Sequence, residues 1–531
     1  MAVNATTAIP FLSDAWLAAA GAAFADLPVC PDSAVRFGFT VTDPPPGVVG
    51  EFGLVLDLDS GGIRLDRDAD SGNPTLRLSY HDAAAFLLGS ALDRVRVFES
   101  GRTELTGNLT HVFFADRTLQ QDTGGLLARL RRRTGGLPDG LGDIGWTGRN
   151  SFVDTPAEER AAADAAADEL PRAVAALRSE VGDSAPGAQV YVSRDGRVLA
   201  DFALGTARPG VAFTRRSPTL WYCCAKPLGS LAVGQLWERG LLDPFAPVCG
   251  YLPDFTGQGR EELTLAQVMT HTAAVPTGLD PVHGALYASD ARHRALVREL
   301  AVPADPRPGT RVNYSQWWGW LLLAEVLEAV DGRCYEQYVE EEILRPCGIS
   351  GTTRVRLTAE EFGDVGETLP LVYISARGRP AQPTYWFSSE AATTCRLPGV
   401  NTRGPMADLG RFFEVLLAGG RAPGGRIAAP TTIAALTARH RSGLRDAFGN
   451  ADWGLGLRLE CGHLDPSLTS FSRFSSPRSY GHDGLWTAVA FADPDAGLVV
   501  ALHLNGKTHH DQHRARLTAI CDAIYEDLGL C

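Results

Sequence analysis

The chain has 531 residues, 45% hydrophobic and 21% charged, with a formal net charge of −13. That length is ordinary globular material for about three domains, and the acidic balance excludes a nucleic-acid backbone or an anionic membrane surface as the main partner. No stretch approaches the ~18 uncharged apolar residues that span a bilayer, and no Lys or Arg precedes Arg36, so a secretory n-region is missing and a cytoplasmic protein is expected. Ten cysteines at irregular spacing, without a paired metal pattern, read as reduced core thiols. Neither a disulfide framework nor a metal or cofactor is expected from them.

Phe11 to Ala25 reads as a helix, and residues 33–39 and 52–58 alternate like half-buried strands. Thr75 to Ser79 and Val95 to Phe98 continue that alternation, with a helix at His81 to Leu88. The order of these elements, with the stretch Gly-Arg-Thr-Glu-Leu-Thr-Gly-Asn-Leu from Gly101 to Leu109, resembles the sterol-carrier-protein-2-like domain. That resemblance implies an apolar tunnel able to hold a lipid or acyl group, although such a fold also serves for packing or dimerisation alone. A Gly-, Pro- and Asp-rich run begins at Thr134, so the expected domains are 1–133, a linker at 134–157, and 158–531.

The second part opens with an alanine-rich helix from Glu158 to Ser179. Residues 189–202 follow as a β-hairpin about Asp195-Gly196, and Thr487–Ala492 with Leu498–Leu504 form a second hairpin. A closing amphipathic helix covers Asp511 to Leu528, and a mostly helical region fills roughly 223–450. Terminal helices on an antiparallel sheet with a helical insertion make an α+β architecture.

The chemistry centres on Trp221-Tyr222-Cys223-Cys224-Ala225-Lys226-Pro227. Residues three apart on a helix share a face, so Lys226 would sit beside the Cys223 sulfur as proton acceptor or positive partner. The spacing alone is a weak signal, since free cysteine is most often a buried core residue. Its company strengthens it. An amphipathic helix runs from Leu228 to Arg239, then come Gly240-Leu241-Leu242-Asp243-Pro244, Tyr251-Leu252-Pro253-Asp254-Phe255 and Thr264-Leu265-Ala266-Gln267-Val268-Met269-Thr270-His271-Thr272. This order over about residues 185–525 resembles class C β-lactamases and their penicillin-binding, esterase, D-aminopeptidase and acyltransferase relatives, with Cys223 in place of the nucleophilic serine and Ala273-Ala274 where Ser-Gly is usual.

The resemblance assigns further roles. Asn313-Tyr314-Ser315-Gln316 matches the Tyr-x-Asn element, so Tyr314 would relay protons and Gln316 would hold a substrate carbonyl. His482-Asp483-Gly484 matches His-x-Gly ahead of a strand: His482 would position a substrate carboxylate or support Tyr314, and Gly484 would let substrate lie against the strand edge. The oxyanion hole would use the N–H of Cys223 and one on the following strand, Thr487. Trp317, with Trp318, Trp320, Tyr385 and Trp386, suggests an aromatic-lined pocket. Gly506-Lys507-Thr508 is discarded as a phosphate loop, and His503, His509, His510 and His513 read as a solvated turn rather than a metal site.

A thiol is a far stronger acid than a hydroxyl, so Cys223 needs less help from a base than serine does, and Lys226 could stay charged. An acyl thioester suits attack by amines. The expected function is therefore acyl transfer from an ester or thioester donor to an amine or alcohol acceptor, by resemblance in natural-product (antibiotic) biosynthesis. The alternatives are an esterase or amidase-type hydrolase and, in another class, a non-catalytic lipid or acyl-group binding protein. Partners would be the small-molecule donor and acceptor, with no nucleic acid and no membrane insertion, and a homo-oligomer is left open.

Overall fold

The computed structural model describes residues 8–27, 35–57, 62–66, 75–106, 119, 125–142, 152–274, 289–302, 307–374, 381–445, 452–508 and 510–531. They form two compact units, the first containing the N-terminal residues together with Gln382–Ala392 and the second the remainder.

In the first unit, helix α1 spans Asp14–Ala25 because the Ser13 side chain accepts the Trp16 N–H and fixes the start three residues after Phe11. Strands β1 (Val35–Val41), β2 (Glu51–Asp57), β3 (Gly62–Asp66), β4 (Thr75–Leu78) and β5 (Glu104–Thr106) form a sheet in the order β3-β2-β1-β4-β5. The β1–β4 pair is parallel and the others antiparallel. Helices α2 (Tyr80–Leu88) and α3 (Ala91–Glu99) lie between β4 and β5.

The strand expected at Val95–Phe98 is therefore part of α3. Four residues of alternation cannot outweigh a capping box, in which Ser90 and Asp93 satisfy each other's backbone N–H groups and launch the helix. Thr134–Gly135, expected as linker, pairs in parallel with Ile9–Pro10 after helix α4 (Leu126–Arg133) and belongs to this unit. The core is aromatic, with Phe39 stacked on Phe52 and Trp386 edge-on to Phe98 at 5.1 Å. Trp386 is thus a core residue of the first unit rather than the lining of a pocket with Trp317. Part of the Gly101–Leu109 stretch lies outside the described residues.

In the second unit the alanine-rich segment is two helices, α5 (Ala157–Ala167) and α6 (Pro171–Glu180), instead of one. Pro171 lacks an N–H and tolerates only a helix start, so it opens α6. Strands β6 (Gly187–Arg194) and β7 (Arg197–Arg208) meet at Asp195-Gly196, both with positive φ, as a two-residue hairpin requires. With β8 (Val211–Ala212), β9 (Arg458–Leu459), β10 (Tyr480–Gly484), β11 (Ala488–Asp493) and β12 (Leu498–Leu504) they build a seven-stranded antiparallel sheet ordered β8-β7-β6-β12-β11-β10-β9.

Every residue of β12 is buried, because helices cover both faces of the sheet. On one face α5, α6 and the closing helix α11 (His510–Asp527) enclose an aliphatic core. On the other lies α10 (Met406–Leu417), tied by the Tyr191 hydroxyl donating to Glu414 at 2.8 Å. His503 is no solvated turn residue: it sits on β12, buried and stacked on Phe213, and burial pushes its imidazole down to about 3. His513 is buried as well, and His509 lies outside the described residues.

The helical insertion carries α7 (Lys226–Glu238), α8 (Leu265–Met269) and α9 (Trp318–Asp331). Residues 226–236 are all buried, marking α7 as the central helix on which the insertion packs. No helix among the described residues is long and apolar enough to cross a membrane.

Removing the Trp386 ring deletes a large part of the first unit's core. Trp386→Ala is expected to cost about 3–5 kcal/mol of stability, read as a lowered denaturant midpoint; a midpoint within error of the wild type would contradict this placement.

Candidate active site

Cys223 lies on a single 3-10 turn, Tyr222–Ala225, that runs directly into α7. Pro227 occupies the first turn of α7, where its missing N–H leaves no hydrogen bond unmade, so the helix starts at Lys226 without a kink. Tyr222 has φ +48°, a left-handed conformation that a bulky side chain rarely adopts, and the turn bearing the sulfur is strained accordingly. The two adjacent thiols differ sharply. Cys224 is buried, its Sγ donates to the His482 carbonyl at 3.2 Å, and burial pushes its thiol well above the usual range. The Cys223 side chain is only half-buried.

Lys226 is fully buried and bonded on three sides. Its Nζ is 3.4 Å from Cys223 Sγ, 2.9 Å from the Gln316 carbonyl and 3.3 Å from the Gly399 carbonyl. The Trp320 ring lies 4.9 Å from Nζ, and the Trp320 indole N–H donates to the Lys226 carbonyl. Burial lowers the Lys226 pKa, the neighbouring sulfur pulls it back up, and the net direction is down. Three acceptors around one nitrogen match the three protons of an ammonium. A neutral amine keeps the two carbonyl bonds and turns its lone pair to the sulfur. In either state the pair shares one proton along the Nζ–Sγ line.

Tyr314 meets His482 with its hydroxyl 3.4 Å from Nε2. His482 Nδ1 is 2.7 Å from the Asp483 carbonyl, which can only accept, so the ring proton sits on Nδ1 and Nε2 presents a lone pair to Tyr314. Burial lowers the His482 pKa to about 4 and keeps the ring neutral. A neutral ring offers no charge to a substrate carboxylate, and its bare Nε2 faces the Tyr314 hydroxyl. Burial would raise the Asp483 carboxyl, but the Arg458 guanidinium at 3.3 Å, together with smaller contributions from His482, His513 and a backbone hydrogen bond, outweighs it and holds the acid at about 2.

Other expected residues contribute differently from their assigned roles. Gln316 supplies its backbone carbonyl to Lys226, while its side-chain oxygen accepts the Trp317 indole N–H at 3.1 Å. Trp317 braces Gln316, and Trp318 and Trp320 are buried in α9. His482 and Gly484 lie at the end of β10, which turns directly into β11, the strand expected after them. A Cβ at Gly484 would stand 2.6 Å from the Trp221 carbonyl, so this glycine lets β10 press against the turn that carries Cys223.

Thr487 is not an oxyanion donor. Its N–H and its hydroxyl both donate to the Gly484 carbonyl, at 2.8 and 3.0 Å, closing a tight turn whose central residues Leu485 and Trp486 both have positive φ. That turn leaves the Leu485 N–H unused among the described residues, next to the strand end that touches the Cys223 turn.

Two site residues escaped the sequence reading. Gly399, at φ +73°, places its carbonyl on Lys226, and a Cβ there would lie 2.5 Å from Trp320. His271, at φ +59°, is buried against Tyr314 with ring centroids 4.2 Å apart. A glycine after Leu-Pro and the His of the Thr-His-Thr run were the available signals, but neither announces its contact.

The sequence comparison decides the family. Residues 166–523 match the β-lactamase family. The chain belongs to that family. It is 26% identical over 343 residues to the esterase/β-lactamase LipL of Mycobacterium tuberculosis, covering 60% of this chain and 76% of that one. It is 28% identical over 363 residues to esterase EstB of Burkholderia gladioli, covering 64% and 90%. A penicillin-binding protein homologue from Caulobacter crescentus superposes with TM-score 0.56 at 22% identity over 68% of this chain and 98% of that one. EstCE1, a hydrolase with promiscuous acyltransferase activity, gives TM-score 0.56 at 20% identity over 69% and 100%. These structures share the mixed α+β fold, with its antiparallel sheet and many helices.

Two predictions follow from this geometry. Gly399→Ala should displace the Lys226–Trp320 contact and reduce turnover of any reactive ester by about 100-fold, the cost of a roughly 1 Å misplacement; unchanged turnover would contradict the carbonyl's role. His482 titrates near 6.5 when unfolded and near 4 when folded, so the unfolded chain takes the extra proton first and the fold loses stability as pH falls through that window. His482→Gln should flatten that acid limb in denaturant titrations at pH 7 and pH 4.5, and an unaltered slope would contradict a buried neutral ring.

Proposed function

We propose that this β-lactamase-family chain is an acyltransferase that works through an acyl thioester on Cys223. The observation that carries the reading is Lys226 Nζ, fixed by two carbonyls and aimed at Cys223 Sγ at 3.4 Å. The thiol proton moves to the Lys226 amine, and the thiolate attacks the carbonyl carbon of an ester or thioester donor. The C–S bond forms, the bond to the leaving group breaks, and the leaving group departs with a proton from Lys226 or Tyr314. An amine or alcohol then attacks the thioester with the Tyr314–His482 pair taking its proton, the C–S bond breaks to release thiolate, and that proton refills the group, Lys226 or Tyr314, that protonated the leaving group, so the Lys226–Cys223 pair again holds one proton. Donor plus acceptor thus becomes acylated acceptor plus protonated leaving group.

The N–H groups of Cys223 and Leu485 are the donors proposed for the oxyanion, with Leu485 in place of Thr487. The amide nitrogen of Gln316 is left to orient the donor's carbonyl. His482, neutral with its lone pair on Tyr314, would take the tyrosine's proton and let Tyr314 act as a base, in place of anchoring a substrate carboxylate itself.

Hydrolysis is the second reading, with water as acceptor, and the esterases among the relatives favour it. A non-catalytic binding role is disfavoured by the assembled set, since a decayed site has no physical need for Lys226 to hold a sulfur in this geometry.

Product analysis at matched conversion of a p-nitrophenyl ester, with and without a primary amine, separates the readings. The proposal expects the amide to predominate when amine is present; free acid alone would select hydrolysis. Cys223→Ser should lose most of the activity, on the order of 100-fold or more, because Lys226 must then deprotonate a much weaker acid. Full turnover by the serine variant would contradict a site built for sulfur.

A further inference from the structure

His271 holds the residues on both sides of Tyr314. Its backbone carbonyl accepts the Asn313 N–H at 2.9 Å, and its Nδ1 accepts the Ser315 N–H at 3.1 Å. Between these two bonds the imidazole lies on the Tyr314 ring, centroids 4.2 Å apart and planes tilted by 31°. Trp453 packs edge-to-face on the same imidazole at 4.5 Å and also on His482 at 5.3 Å. Ser315 in turn accepts the Gly319 N–H with its hydroxyl, tying the start of α9 to the same point.

This arrangement has a conformational cost. His271 sits at φ +59°, in the left-handed region that non-glycine residues seldom adopt and that histidine enters more readily than most. The ring is buried, Nδ1 must be the bare nitrogen to accept an N–H, and burial pushes its pKa well below the ordinary histidine range, so it stays neutral. A buried, strained residue whose only backbone and side-chain acceptors both go to the neighbours of one tyrosine is placed for that tyrosine.

We propose that His271 is a positioning residue for Tyr314, fixing the tyrosine backbone on both sides and its ring on one face so that the hydroxyl reaches His482 Nε2. The inference rests on the reading of Tyr314 as proton relay, and its structural half can be tested without turnover. His271→Leu removes the acceptor for Ser315 and the ring. His271→Asn keeps a side-chain acceptor, tolerates the left-handed backbone, and loses only the ring contact.

With 3-fluorotyrosine at position 314, the fluorine resonance should be single and sharp in wild type, shifted or broadened in His271→Leu, and close to wild type in His271→Asn. With p-nitrophenyl acetate, acylation of Cys223 in His271→Leu should remain within about threefold of wild type while release from the acyl-enzyme slows about 100-fold, the penalty of a displaced relay. His271→Asn should recover most of that release rate. A His271→Leu resonance that superimposes on the wild type, or an Asn variant no better than Leu, would overturn the proposal. Should wild type take no acyl group at all, the covalent reading falls, and the fluorine signal still decides whether His271 sets the tyrosine's pose.

Discussion

A lysine ammonium buried with no exposed surface is expensive unless its protons are met, and Lys226 meets all three with two carbonyls and one sulfur. Much of the second unit's local geometry exists to supply those acceptors. The Gln316 carbonyl comes from the segment before α9, the Gly399 carbonyl from a left-handed glycine, and the sulfur from the turn before α7. Trp320 closes the remaining side of the amine and bonds the Lys226 backbone. Moving any one of these segments leaves a buried N–H without a partner, so the position of Cys223 and the packing of the helical insertion are coupled.

The second organising feature is the neutral polar pair beside the sulfur. Tyr314 and His482 face each other from the helical insertion and the sheet, and the Nδ1 proton of His482 is fixed by its own strand's carbonyl. Arg458 absorbs the Asp483 charge, which keeps that carboxylate from competing for the role of acceptor. The site therefore holds one shared proton at Lys226–Cys223 and a separate uncharged acceptor at His482. Two proton-handling units with different chemistry suit a two-step acyl exchange, in which the group that activates sulfur differs from the group that receives the acceptor's proton.

Much of this was legible in the sequence. The two hairpins and the closing helix follow from alternation and turn chemistry, the Cys223–Lys226 pair from spacing, and Tyr314 and His482 from the resemblance to the β-lactamase family; the structure brings Cys223 to Lys226 and Tyr314 to His482. What failed was decided by short-range detail. Val95–Phe98 became helix because of a cap five residues upstream, and Pro171 cut an alanine-rich helix in two. Thr487 was lost as an oxyanion donor because its N–H closes a turn, which only the backbone path reveals. Gly399 and His271 were invisible as partners since they lie 173 and 43 positions from the groups they serve (399 − 226 and 314 − 271). Long-range contacts of this kind leave no periodic trace.

The central claim is that Cys223 becomes acylated with Lys226 as its proton partner. Intact-mass analysis with peptide mapping, after brief exposure to a panel of activated esters and thioesters, tests it most directly. The account predicts a single acyl addition mapped to Cys223 in wild type and none in Cys223→Ala. An addition that persists in Cys223→Ala would place the nucleophile elsewhere, and no addition to the wild type across the panel would contradict the covalent mechanism.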